Sequence, residues 1–222
     1  MLSRNTETQV TPLHIIQEMN QIFDNAVITA DVGQNQLWAA QFLEVTAQKQ
    51  LLIPGGFGTM GYGLPAAIGA KLGNPDKAVI AICGDGGIQM SFQELAVAAV
   101  YELPVIICIL NNGYLGNVRQ WQEMFYQKRY SGTCLRRRKS CRKDCNAPSG
   151  RCPEYIPDFI RLAESYGAKA VRVKRKEEIR PALLEAKHAC GVPFVIEFLI
   201  APEENVFPIV PPGSPLSRMI LA

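Results

Sequence analysis

The sequence predicts an α/β protein: a doubly wound, mostly parallel sheet with helices on both faces. Short, continuous apolar runs such as Ala78 to Cys83 and Val105 to Leu110 have the length and composition of parallel strands covered on both sides. Segments with helical spacing of apolar residues alternate with such runs along the chain. The 222 residues, 48% apolar and 19% charged with 18 Gly and 15 Pro, describe one domain (1–222) with a sizeable core and many tight loops.

Taken in order, Thr11 and Pro12 read as an N-cap and first-turn proline, and His14, Ile15, Ile16, Met19, Ile22 and Phe23 supply a helical stripe. Ala26 to Ala30 is a buried strand. Gly55 to Gly63 is too rich in glycine for regular structure, which suits close backbone approach, and it leads into a small-residue helix from Leu64 to Leu72 stopped by Gly73. Between the strands 78–83 and 105–110, Ser91 to Val100 is a crossover helix, with Ser91 and Glu94 at capping-box spacing. A helix from Val118 to Tyr126 precedes a cysteine-rich basic insert at about 134–153. Beyond it come a helix from Ile156 to Tyr166, a strand from Ala168 to Val173, a helix from Glu177 to Ala189 and a strand from Phe194 to Ile200. The tail 202–222, with Pro208, Pro211, Pro212 and Pro215, is expected to be extended and packed on a surface until its last few residues. There is no internal repeat.

Charge is uneven. Nine Lys or Arg face one acid, Asp144, between Lys128 and Arg151, so this segment carries +8 and the other 198 residues carry −5 of the net +3. Of seven cysteines, Cys83, Cys108 and Cys190 stand in apolar runs, whereas Cys134, Cys141, Cys145 and Cys152 cluster among Arg136, Arg137, Arg138, Lys139, Arg142 and Lys143. Four thiolates among cations suit zinc or an iron–sulfur cluster; an exposed basic loop with incidental cysteines suits the absence of a C-x-x-C knuckle equally. No aromatic interrupts the basic run, so it does not read as a nucleic-acid surface. No signal peptide or membrane-spanning run is present, and the reading is a cytoplasmic protein that does not enter a membrane.

The chemistry gathers at Gly84-Asp85-Gly86 and Asn111-Asn112. Gly-Asp-Gly alone is a common turn. Here each motif follows a predicted strand, and ligands in open α/β sheets collect beyond the carboxyl ends of strands. Right-handed crossover brings Asp85 and Asn112 together across 27 positions. A carboxylate and an amide oxygen are hard ligands that suit Mg²⁺ or Ca²⁺ and leave coordination positions for a backbone carbonyl, water and a diphosphate. Gly84, Gly86 and Gly87 leave N–H groups uncovered for the anion, near the positive end of the helix expected from Ser91. His14 and His188 read as structural, Glu94 as a cap, and Trp121 as a core residue on spacing alone.

These motifs resemble the metal and diphosphate site of thiamine diphosphate enzymes. The wider sequence is similar to the C-terminal third of the acetolactate synthase (acetohydroxyacid synthase) catalytic subunit family. Asp31-Val32-Gly33-Gln34, Gly58 to Ala67, Val118-Arg119-Gln120-Trp121-Gln122 and Pro202 to Pro208 carry the likeness, which covers nearly all of the chain except about 134–153. The resemblance implies the thiamine diphosphate-binding fold, with Mg²⁺ held by Asp85, Asn112 and the Tyr114 carbonyl. It implies that Gln34, Asn35, Gly84, Gly86, Gly87, Met90 and Gly116 surround the cofactor's diphosphate side. Gly58 and Met60 would meet the aminopyrimidine, Met60 also wedging beneath the bent cofactor. Val118 and Trp121 would line the cofactor side and the second-substrate pocket, so Met60 and Trp121 are the residues expected nearest the chemistry.

The implied reaction decarboxylates pyruvate and joins the two-carbon unit to a second 2-oxo acid, pyruvate or 2-oxobutyrate, in branched-chain amino acid biosynthesis. The sequence departs from the family at Asn35, Asn117 and Gly87, where histidine, methionine and serine are usual; Asn35 is expected still to donate to a phosphate. The family's activating glutamate and its FAD belong to other domains, so the chain alone is expected to bind no flavin and to need an N-terminal domain or subunit within a homo-oligomer. Two rival readings stand beside this one: a subunit of a split 2-oxo acid decarboxylase or oxidoreductase, and a non-catalytic domain that binds a phosphate ligand and regulates a partner.

Overall fold

The computed structural model describes residues 8–142, 145 and 152–221. Lys143, Asp144 and Arg151 of the insert, and Ala222 of the tail, lie outside the described residues. Six strands form one all-parallel sheet: β1 (Ala26–Ala30), β2 (Gln50–Leu52), β3 (Ala78–Gly84), β4 (Val105–Asn111), β5 (Lys169–Val173) and β6 (Phe194–Leu199). Their order across the sheet is β2-β1-β3-β4-β6-β5. The helices are α1 (Pro12–Ile22), α2 (Gln34–Phe42), α3 (Gly63–Gly73), α4 (Asp85–Ile88), α5 (Leu95–Val100), α6 (Gly116–Phe125), α7 (Phe159–Ser165) and α8 (Ile179–His188).

The continuous apolar strands work as their composition predicts. Alternate residues feed two cores, one on each face. Ile28, Ile80, Ile82, Ile106, Cys108 and Ile196 pack with α1, α2 and α8 on one side. Val27, Val79, Ala81, Val105, Ile107 and Val195 pack with α3, α5 and α7 on the other. Burying each large aliphatic side chain stabilises the fold by about 1.5–3 kcal/mol, which is why helical propensity decides little here. No helix among the described residues is long and apolar enough to cross a membrane.

Local chemistry corrects several sequence expectations. Thr11 does cap α1, its hydroxyl accepting from the His14 N–H at 3.3 Å. Ser91 does not form the expected capping box: it precedes a short 3₁₀ turn, Phe92–Glu94, without a side-chain cap, and the motif instead opens directly into α4 at Asp85. The helix expected from Ile156 begins at Phe159, because Pro157 disfavours helix at Ile156 and Asp158 accepts from the Ile160 N–H at 3.2 Å as its N-cap. The expectation also lacked α2 and the edge strand β2. In the tail, Ile209 and Ile220 pair in an antiparallel bridge around a 3₁₀ turn, Leu216–Arg218.

Candidate active site

Three strands end on one rim. β1 passes to Asp31, β3 to Asp85 and β4 to Asn112, and the registers Ala30↔Ile82 and Gly84↔Leu110 align those ends. The chain leaves β1 for β2 on one side and returns to β3 on the other, so the crevice between β1 and β3 is the switch point where such sheets take ligands. A cavity of about 140 Å³ opens there. Its wall brings together Gln34, Asn35, Met60, Gly84, Asp85, Gly86, Gly87, Asn112, Tyr114, Gly116 and Val118 from four sequence segments. Gly58, Met90 and Trp121 stand outside this wall. Met90 is 56% exposed beside the Gly61 turn, and Trp121 lies on α6 with its buried indole N–H unpartnered.

Asp31, wholly buried, organises one side. Its carboxylate accepts from Gly61 and Gly63 N–H groups, both at 3.0 Å, and Thr29 Oγ1 donates to the Gly63 carbonyl at 2.7 Å. These bonds fix the turn after Met60, where Gly61 sits at φ +88°. A Cβ on Gly86 would lie 3.9 Å from Met60 Cε and 2.8 Å from Leu115, so Met60 hangs over the open backbone of Gly86. A Cβ on Gly87 would stand 2.7 Å from Asp31 Oδ1, which accounts for glycine at this position.

Asp85 and Asn112 are both buried. Asp85 Oδ2 accepts from Gly113 N–H at 3.1 Å, while the Asp85 carbonyl accepts from Gln89 Nε2 and the Tyr155 hydroxyl at 3.0 and 3.4 Å. Burial pushes the Asp85 carboxyl up to about 7, against the pull of Tyr155, the backbone N–H groups and Arg136. Asn112 Oδ1 accepts from Tyr114 N–H at 2.9 Å, and its Nδ2 donates to Gln34 Oε1 at 3.2 Å. Gln34 in turn donates to Gln120 Oε1 and the Glu204 carbonyl, and Gln120 exchanges two hydrogen bonds with the Val206 backbone. The tail is thereby tied to the asparagine.

The donor set fits a hard cation with an anionic partner. Two buried oxygen-bearing side chains line one cleft, one a carboxylate whose charge burial disfavours and a cation would restore. The cavity wall also holds an orphan polar atom, Asn117 Oδ1, buried without a hydrogen-bond partner. Gly116 begins α6, and a Cβ there would run into Gln34 Oε1 and stand 2.6 Å from Asn112 Nδ2. Asn35 is the exception. Both its amide hydrogens go to the carbonyls of Asp31 and Ile82, so the side-chain donation to a phosphate expected of it is not available in this arrangement.

The insert reaches the site. Leu115 N–H donates to the Thr133 carbonyl at 2.8 Å, Leu135 N–H to the Gly113 carbonyl at 2.9 Å, and Tyr114 bridges Cys134. Leu135 approaches Gly86, and Arg136 lies against Gly113 with its buried Nε unpartnered. Cys134, Cys141, Cys145 and Cys152 line one adjoining cavity of about 110 Å³ together with Tyr114 and Tyr130. Among the described residues no group of three or more His, Cys, Asp or Glu is placed to hold a metal ion. Neither Asp31 nor Tyr155 was expected at the site. Asp31 carried a signal, an acid directly after an apolar strand; Tyr155 carried none, because it arrives across the insert.

Residues 31–198 match the family described as thiamine pyrophosphate enzyme, C-terminal TPP binding domain. The acetolactate synthase large subunit of Corynebacterium glutamicum is 44% identical over 206 residues, covering 92% of this chain and 31% of that protein. The probable acetolactate synthase large subunit of Methanococcus aeolicus is 42% identical over 217 residues, covering 95% and 33%. That of Pyropia yezoensis, an acetolactate synthase large subunit, is 41% identical over 220 residues, covering 99% and 34%. The chain spans about a third of the length of these curated relatives.

Proposed function

Because the chain belongs to the thiamine pyrophosphate enzymes, matching their C-terminal TPP-binding domain, we propose that its cleft anchors thiamine diphosphate through Mg²⁺ and serves an acetolactate synthase. The observation that carries this reading is the meeting of Asp85 and Asn112, from adjacent parallel strands, on one buried rim of open glycine backbone. Asp85, Asn112 and the Tyr114 carbonyl hold the metal. Backbone N–H groups at Gly84, Gly86, Gly87 and Gly116, with the ends of α4 and α6 behind them, receive the diphosphate. Gln34, hydrogen-bonded to Asn112, fixes the amide so that its oxygen, not its nitrogen, is offered to the cation.

When bound, the cofactor supplies the electron sink for loss of carbon dioxide from pyruvate. The chain's own residues position and shield. Met60 stands over Gly86, where its carbonyl can accept from the cofactor's amino group and its side chain can support the bend; Gly58 shares that side. Val118 borders the cleft; Trp121, outside its wall, is assigned to the pocket for the second 2-oxo acid, and Met90, also outside it, to the cofactor side. We assign the activating glutamate to another domain or subunit of a homo-oligomer, FAD to a domain outside this sequence, and the product to branched-chain amino acid biosynthesis. We place the protein in the cytoplasm, which suits an enzyme domain of this class.

The chain alone, purified and supplied with thiamine diphosphate, Mg²⁺ and pyruvate, is expected to form no acetolactate. Measurable acetolactate from the pure chain would contradict the assignment of the activating acid elsewhere.

A further inference from the structure

Glu197 lies in the middle of β6, 2% exposed, and nothing in the functional reading uses it. A carboxylate in that position needs partners. Asn111 Nδ2 donates to Glu197 Oε1 at 2.7 Å, and Arg172 Nε, opposite Glu197 in the register of β5 with β6, donates to Oε2. Arg172 also reaches Asp158 at 2.7 Å, the residue that caps α7. The other end of the Asn111 amide is equally committed: Oδ1 accepts from Gly113 N–H at 3.0 Å. That same N–H reaches Asp85 Oδ2 at 3.1 Å.

We infer that Glu197 is a positioning residue for the metal loop, holding the Asn111 amide in the one orientation that keeps Gly113 N–H aimed at Asp85. The inference rests on the Mg²⁺ reading above. Donors and acceptors decide the orientation. A flipped Asn111 would set its carbonyl oxygen against the Glu197 carboxylate and its NH₂ against the Gly113 N–H, two repulsive pairs in place of two bonds. Glu197, whose two oxygens accept from Asn111 Nδ2 and Arg172 Nε, excludes that flip. Gly113 sits at φ +77°, so the turn it begins depends on its neighbours to hold it, and Asn112 and Tyr114 follow directly. The link therefore runs from β5 through β6 and β4 to both proposed metal ligands.

Substitutions at Glu197 and Arg172 separate this role from simple packing. In Glu197→Gln one amide must meet two donors, Asn111 Nδ2 and Arg172, so one of them faces an NH₂. Adding Arg172→Met removes the competing donor and lets the introduced amide turn its oxygen back to Asn111. In the full chain, E197Q is expected to raise the Mg²⁺ concentration for half-maximal thiamine diphosphate binding about tenfold. In the metal-free protein it is expected to speed hydrogen exchange of the Gly113 amide by about the same factor. E197Q/R172M is expected to restore both, and Asp158→Asn, at the far and exposed end, to alter neither more than about twofold.

Unchanged Gly113 exchange in E197Q would overturn the role whatever the metal does. So would effects that persist in the double variant, since these mark general loss of packing. If the wild-type chain shows no Mg²⁺-dependent binding while Gly113 exchange follows the expected pattern, it is the functional reading that fails and the hold on the loop that stands.

Discussion

Gly116 leaves no volume for a side chain, because Gln34 Oε1 and Asn112 Nδ2 occupy the place of its Cβ. Gly116→Ala is expected to cost about 1–3 kcal/mol and to weaken thiamine diphosphate binding by separating that pair, which denaturant unfolding and calorimetry would register together. Asp85 sets a pH signature. Its folded value of about 7 lies above the unfolded carboxylate range, so the folded, metal-free chain binds the proton more tightly. The stability this contributes is present below about pH 4 and is lost as pH rises through about 7, on the order of a few kcal/mol. Thermal melts at pH 5.5 and 8 should then show stabilisation by Mg²⁺ with thiamine diphosphate growing with pH, and Asp85→Asn should remove the pH dependence. A stabilisation equal at both pH values would contradict it. Asp85 and Asn112 were legible in the sequence because each is a ligand type placed just past an apolar strand. Glu197 and Tyr155 were not, since the residues through which they reach the site, Asn111 and Asp85, stand 70 or more positions away.

The second half of the chain is braced by α7. Phe159 is wholly buried, with its ring 6.1 Å from Phe92 and 5.5 Å from Tyr155, whose hydroxyl reaches the Asp85 carbonyl. Phe159→Ala is expected to destabilise the fold by about 3–5 kcal/mol in urea unfolding, and, through Tyr155, to loosen the Asp85 end of the site. Elements with continuous apolar runs or firm caps were readable beforehand, as β3, β4 and α1 illustrate. Those without were not. β2 has three residues on the sheet edge, none of them buried; α2 carries no side-chain cap; α4 is a single turn defined by its position after β3. The insert read as a separate basic loop because charge and cysteine dominate its composition. Its link to the site loop is the uncharged arm Thr133 to Leu135, which makes backbone bonds that any side chains would permit.

At the scale of the whole molecule, the order β2-β1-β3-β4-β6-β5 puts the crevice between the two halves of the winding, and the tail closes on it through Gln120 and Gln34. A mostly parallel sheet with helices on both faces was legible from alternation of elements; the tail's bonds to the site were not, because prolines announce an extended path without its destination. The chain spans about a third of its curated relatives' length, and the function proposed above makes its site the anchoring half of an active site. That claim is tested most directly by titrating thiamine diphosphate into the full chain by calorimetry, with and without Mg²⁺, in wild type and Asp85→Ala. Wild type is expected to show saturable binding that requires Mg²⁺ and is weakened at least tenfold in Asp85→Ala, a loss of about 1.4 kcal/mol or more. Binding that is equal in the two proteins, or no heat in wild type with Mg²⁺ present, would contradict it.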